Sequence, residues 1–403
     1  MIASYYQLLK SSSYFFLFSI SGVFFSAPGQ TFLVSLAIPD ICLMVNISPL
    51  FFATLYSSAT LLASLLLPFI GKRIDILPAQ KVVYFNAFFF AMALTIFAIS
   101  THWMSLFFAL FLMRLFGQGA LTLTATSHTI KCFSKNRGSA LSITQLGYPL
   151  SEFIFPSIYL FLFYWVGLRW AFLMFAMAIL VMYLPISILG LKFKKRQPLS
   201  IINQPSATSK TLKCVLRDPY FPIYLLISSV PPIMMTAALY FQVEIFNLKQ
   251  WPITTIETAI FSYALLKFFS TIIFGPLIDR IGIVIPLTVL TLSIGVATLL
   301  ISLKGTVFLG YLYYSLYGIG IGASASTMSY LWGLLYGSNH IGEIKGVIAI
   351  IRNGGTAVSP ILFSYFLYAK HIAMPSLFLY AGVIIIFIGL LPMCLSYLDS
   401  RLT

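Results

Sequence analysis

Charge in this sequence is confined to short clusters, and between the clusters run apolar segments long enough to cross a lipid bilayer. Cut at charge and turn residues, these runs lie near 12–38, 50–70, 82–100, 104–128, 139–165 and 170–190, then near 220–245, 254–274, 283–303, 306–336, 346–369 and 374–397. Most reach the about 20 apolar residues that a spanning helix needs. At 60% hydrophobic and 8% charged, the chain has too little polar surface to cover a soluble globule. Short segments of alternating polarity, which would mark a membrane β-barrel, are absent. The expected fold is an all-α integral membrane bundle of 12 transmembrane helices in two pseudo-symmetric six-helix halves. These halves are residues 1–190 and 220–403, joined by a polar linker, 191–219, that opens on the basic run Lys192–Arg196.

A formal net charge of +15 would suggest a nucleic-acid partner in a soluble chain. Here it follows from retention of Lys and Arg on the cytoplasmic side, and no nucleic acid is implied. With the N-terminus inside, four of the 24 basic residues fall outside (Arg169, Lys249, Lys304, Lys370), three lie within spans (Arg114, Lys267, Arg352) and seventeen lie inside. Both termini are therefore expected to be cytoplasmic. The first apolar run is too long for a signal peptide and is expected to be retained. Cys42, Cys132, Cys214 and Cys394 show neither metal-ligand nor redox spacing. No phosphate-cradling GxxxxGK[ST] loop is present, so ATP is not the expected energy source.

The second half contains Gly275-Pro-Leu-Ile-Asp279-Arg280-Ile-Gly282, and the first half Gly71-Lys-Arg-Ile-Asp75, each at the end of an apolar run. An offset of about 204 superposes the two glycines and the two aspartates, and a slightly larger one superposes Arg137-Gly138 on Lys345-Gly346. Internal repeats of this length mark transporter folds whose halves rock about a midplane site. Small residues allow helices to approach closely in lipid. A carboxylate at a span end can accept bonds from a neighbouring helix N-terminus and act as a latch.

GPLIDRIG resembles the loop signature Gly-x-x-x-Asp-Arg-x-Gly of the major facilitator superfamily, and Arg114-Leu-Phe-Gly117-Gln-Gly119 is similar to that family's fourth-span signature. Pro78 and Ala79 depart from the pattern in the first half, which predicts a weaker latch there. The resemblance implies gating roles for Gly71, Asp75, Gly275, Asp279 and Arg280. Within the superfamily, Arg114–Pro156 and Pro28–Pro39 resemble the bacterial branch related to monocarboxylate and oxalate–formate transporters.

An ionisable group inside a span costs about 2.5–3.5 kcal/mol on insertion scales and is a functional candidate by default. Arg114, Glu152, Glu244, Lys267 and Arg352 qualify. The branch resemblance implies that Lys267 and Arg352 clamp an anion; structurally, either could instead snorkel to an interface or pair with Glu152 or Glu244. Glu152 is the proton-coupling candidate, with Arg114 as its counter-charge, although a fixed Arg114–Glu152 pair would serve equally to lock two helices. Gln30, Gln145, Tyr148, Tyr240 and Asn353 are further candidates to line a substrate cavity. His102, His128, His340 and His371 read as solvated residues at span ends.

The expected function is secondary transport of a small, carboxylate-bearing organic anion by alternating access, coupled to protons. No enzymatic activity, cofactor or metal is expected, and the chain is expected to act as a monomer in a bacterial inner membrane. Efflux of amphipathic compounds or drugs, or transport of a larger carboxylate such as a siderophore, are the alternatives.

Overall fold

The computed structural model describes residues 2–133, 136–193, 210–252, 255–399 and 401. Most of the expected linker, including the greater part of Lys192–Arg196, lies outside the described residues. The first half comprises α1 (Ile2–Phe24), α2 (Ile38–Val45), α3 (Pro49–Ile76), α4 (Ala79–Ile99) and α5 (Trp103–Leu112). A π-helical stretch, Met113–Leu121, carries α5 into α6 (Thr122–Cys132), followed by α7 (Arg137–Gln145), α8 (Gly147–Ala178) and α9 (Leu184–Phe193). The second half comprises α10 (Leu212–Leu216), α11 (Phe221–Tyr240), α12 (Gln242–Leu248), α13 (Thr255–Ile281) and α14 (Val284–Ser302). It ends with α15 (Val307–Tyr336), α16 (Ile341–Ser364) and α17 (Met374–Leu398). Among the described residues there is no strand.

Ten helical runs are long and apolar enough to cross a membrane. The longest, Arg137–Lys192, holds two of the expected spans, separated at Gly167. There φ is +78°, a conformation that glycine adopts without strain. Val307–Tyr336 is not among the ten, because its glycines, serines and tyrosines dilute its hydropathy. The same small residues let it pack closely against α13 and α14. The first expected span is interrupted beyond Phe24, where Ala27–Gly29, with Pro28 at its centre, forms a short 3-10 turn. The expected run 346–369 starts earlier than predicted, at Ile341, which brings Lys345 into α16.

Each half buries its own apolar core. At one end of the molecule the second half's core also takes in Ile130 and Leu141 of the first half, packed with Ile278, Trp332 and Ile341. Side chains such as Phe153, Phe161 and Phe387 remain exposed, as expected where the solvent is lipid.

Just beyond the ends of α11 and α17, Arg401 clasps two aspartates. It donates to Asp399 at 2.6 and 2.7 Å and to Asp218 at 2.5 Å, while the Tyr224 hydroxyl donates to Asp399 at 2.6 Å. Burial pushes both carboxyls up, but the hydrogen bonds and charge of Arg401 outweigh it and hold each below the usual carboxylate range. A depressed carboxyl stabilises the fold fully above its unfolded value of about 4 and loses that contribution as pH falls through the lower folded value. Arg401→Ala should therefore cost about 2 kcal/mol at neutral pH, seen as a lower melting temperature in detergent. That difference should shrink as pH drops below about 4; a pH-independent difference would show that the clasp does not work through these carboxylates.

Candidate functional site

Between the halves lies a cavity of about 410 Å³. Side chains of α3, the Met113–Leu121 stretch, α6, α7 and α8 line it from the first half, and those of α11, α13, α15 and α16 from the second. Its charged lining is one-sided: Arg114, Lys267, Lys345 and Arg352 are cationic, and Glu152 is the one acidic residue among the described lining.

Glu152 on α8 pairs across the halves with Lys267 on α13, both carboxylate oxygens lying 2.6 Å from Nζ. Lys267 is buried and Glu152 partly exposed, the side chains being 9% and 29% accessible. The Tyr263 ring lies 5.6 Å from the ammonium. Lys267 is positioned by close packing of α13 on α15. A Cβ on Gly322 would overlap the Lys267 carbonyl oxygen, so only glycine at this position lets the helices approach as they do.

Arg114 does not reach Glu152. Its guanidinium donates to Thr60 Oγ1 at 2.9 Å, Thr31 Oγ1 at 3.2 Å and the Gly29 carbonyl at 3.3 Å, and lies 4.7 Å from the centre of the Tyr56 ring. The counter-charge expected of Arg114 is thus supplied by Lys267, 115 residues away in sequence, and Arg114 is held by neutral oxygens within its own half.

Arg352 on α16 has neither an ion pair nor a hydrogen-bond acceptor among the described residues, and its buried Nε is unsatisfied. Lys345, two turns earlier on α16, donates to Thr126 Oγ1 of the first half at 2.5 Å and to Ser329 Oγ at 3.3 Å. Lys345, expected outside the spans, lies inside α16; the signal that locates it is its place one turn after the Gly342 that packs on Gly71.

Below the cavity the halves are joined by two matching contacts. Asp75 at the end of α3 accepts from the backbone N–H groups of Gly342 (3.0 Å) and Glu343 (2.9 Å) at the start of α16, and pairs with Lys131 at 2.7 Å. Asp279 at the end of α13 accepts from the N–H groups of Gly138 and Ser139 at the start of α7, both at 2.8 Å, and from Ser139 Oγ at 2.6 Å. Bonds to an ionised acceptor contribute about 1.5–3 kcal/mol each. The first-half contact is as fully bonded as the second, in spite of the departures at Pro78 and Ala79. Gly138 is matched by Gly342, at the same 204-residue offset as the aspartates, and not by Gly346 one turn later. Arg280 is exposed and bonds to none of these groups.

Of the expected cavity residues, Gln145, Tyr148, Lys267, Arg352 and Asn353 line it, as do Arg114 and Glu152. Gln30 is buried outside the lining with its amide on Ser26 Oγ at 3.1 Å. Tyr240 ends α11 one turn beyond the cavity-lining Thr236 and is 64% exposed. His128, expected at the surface, is buried with its Nδ1 at 2.9 Å from the Thr124 carbonyl and its ring edge-on to Phe18. Its span runs on to Cys132, past the end expected from sequence.

A family model described as Major Facilitator Superfamily matches residues 19–360. The chain belongs to the major facilitator superfamily. It is a multi-pass membrane transporter, not an enzyme. Among solved structures it is similar to the human organic anion transporter MFSD10 (TETRAN), with a TM-score of 0.72 and 14% identity over 94% of this chain and 99% of that one. It is also similar to a bacterial homologue of the iron transporter ferroportin in an outward-facing state, with a TM-score of 0.69 and 17% identity over 95% and 99%. At these identities the likeness is one of fold. No curated protein sequence matches the chain.

Proposed function

We propose that this facilitator moves an organic anion by alternating access, its halves 1–190 and 220–403 rocking about the central cavity. The observation that carries this reading is the cavity's charge: four cations face one acid, and that acid is already engaged by Lys267. Like charges in a low-dielectric cavity repel, and an anion relieves that repulsion. Arg352 offers such a ligand a planar fork of donors. A carboxylate arriving near Lys267 competes with Glu152, and a Glu152 released from its ammonium can take up a proton. That exchange is the proposed proton coupling. The two aspartate contacts act as gates: Gly71 and Gly275 set the close approach, and Asp75 and Asp279 hold it.

With the chain termini on the cytoplasmic side of a twelve-span bundle in a bacterial inner membrane, the end joined by Asp75 and Asp279 is the cytoplasmic one, and the described state is closed on that side. The finer placement, in the branch related to monocarboxylate and oxalate–formate transporters, forms part of this proposal. The MFSD10 likeness supplies a precedent for organic anions at the level of fold alone.

Binding to the native state raises its melting temperature, by the equivalent of about 2.7 kcal/mol at a hundredfold excess over Kd. In a stabilisation screen of the purified protein, organic anions should raise the melting temperature while cationic and neutral amphipaths leave it unchanged. Stabilisation by the amphipaths alone would replace this proposal with the efflux reading.

A further inference from the structure

The cavity holds more positive charge than one carboxylate can answer. With Glu152 assigned to Lys267 and Arg114 bound by hydroxyl and carbonyl oxygens, two cations remain on a single helix face: Arg352, with an unsatisfied buried Nε, and Lys345, whose ammonium contacts only hydroxyls among the described residues. The two lie seven residues apart on α16, two helical turns or about 10 Å along its axis. An ammonium typically finds a carboxylate or phosphate partner when it is drawn into a protein interior, because hydroxyls alone leave its charge uncompensated.

Resting on the anion-transport reading above, we infer that Lys345 is the second anchor of a two-point anion site, and that the favoured ligand carries two separated negative charges, one held by Arg352 and the other by Lys345. Lys345 also gives this second charge a consequence. Its bond to Thr126 crosses from α16 to α6, and it lies two residues beyond Glu343, whose N–H is bound by Asp75. An anionic group that takes the Lys345 ammonium competes with Thr126 for it. A dianion therefore loosens a cross-half contact next to the gate, which a monoanion seated on Arg352 leaves in place.

The test compares glutarate and glycerol 3-phosphate with pentanoate, as competing ligands of the purified full chain and as substrates in proteoliposomes. Glutarate or the phosphate ester should bind the wild type at least about tenfold more tightly than pentanoate, equivalent to about 1.4 kcal/mol. In Lys345→Gln that preference should fall to about twofold or less while pentanoate binding persists, and Lys345→Arg should restore it. Which of the two dianions binds distinguishes a dicarboxylate from a phosphorylated ligand. Equal binding of mono- and dianions by the wild type, or an undiminished preference in Lys345→Gln, overturns the two-point site while leaving anion transport intact. Binding of neither class overturns the transport reading itself.

Discussion

A Gly71→Ala/Gly275→Ala variant is expected to transport at least about tenfold more slowly than the wild type and to expose its cavity from the side of the chain termini. A Cβ on Gly71 would overlap the Gly342 carbonyl, and one on Gly275 would overlap Ser142 and approach the Gly138 carbonyl. Backbone cannot yield as a flexible side chain can. The helices must separate, which lengthens the bonds from the Gly342, Glu343, Gly138 and Ser139 N–H groups to Asp75 and Asp279. Losing only about 1.4 kcal/mol from the closed end already shifts the balance tenfold. Maleimide labelling of a Ser329→Cys probe, in a background without the four native cysteines, reads the change directly, because Ser329 lines the cavity and is buried. Unchanged uptake together with unchanged labelling would mean that the two aspartate contacts do not gate.

Removing the cations on the two sides of the cavity should have unequal costs. Lys267→Gln leaves the Glu152 carboxylate, mostly buried, without its partner, a change that costs up to about 3 kcal/mol when one member of a buried pair is lost. A Glu152→Gln/Lys267→Gln variant removes both charges and should recover most of that stability. Arg352→Gln deletes a charge with no acid to leave behind, so its melting temperature should hold or rise while anion binding falls. A stability loss in Arg352→Gln as large as in Lys267→Gln would show that Arg352 has a structural partner and is not free for a ligand.

The membrane fold was legible because lipid imposes a length and a polarity on every span, and the apolar runs of this chain meet both. The repeated glycine and aspartate were equally plain, since an ionised residue at a span end needs a reason to be there. The four charges that sequence placed in spans and that line the cavity, Arg114, Glu152, Lys267 and Arg352, stood out for the same reason. What sequence left open was the pairing: Lys267 with Glu152, the pair the structure shows, stood as one alternative beside Arg114 with Glu152. Arg114 and Glu152 are close in sequence, whereas the partner that packing brings to Glu152 comes from the other half. Lys345 was hidden by a boundary: a span cut at its last charge stops one turn short of where α16 begins. The pairing of Gly138 with Gly342 was obscured likewise, because glycines one helical turn apart present the same face. Tyr240 was misplaced by depth, which a sequence with short loops fixes only to within a turn or so, whereas Gln30 sits beside the lining residue Thr31 with its amide turned to Ser26.

The central claim is that an anion occupies the cationic cavity as the halves exchange access. Its most direct measurement is uptake of a labelled organic anion, chosen from the stabilisation screen, into proteoliposomes containing either the wild type or Lys267→Gln/Arg352→Gln. The wild type should accumulate the anion under an imposed proton gradient, and the doubly neutral variant, shown to be folded by its melting transition, should lose at least about 90% of that rate, a tenfold effect equivalent to about 1.4 kcal/mol. Uptake by the folded double variant at the wild-type rate would contradict the account.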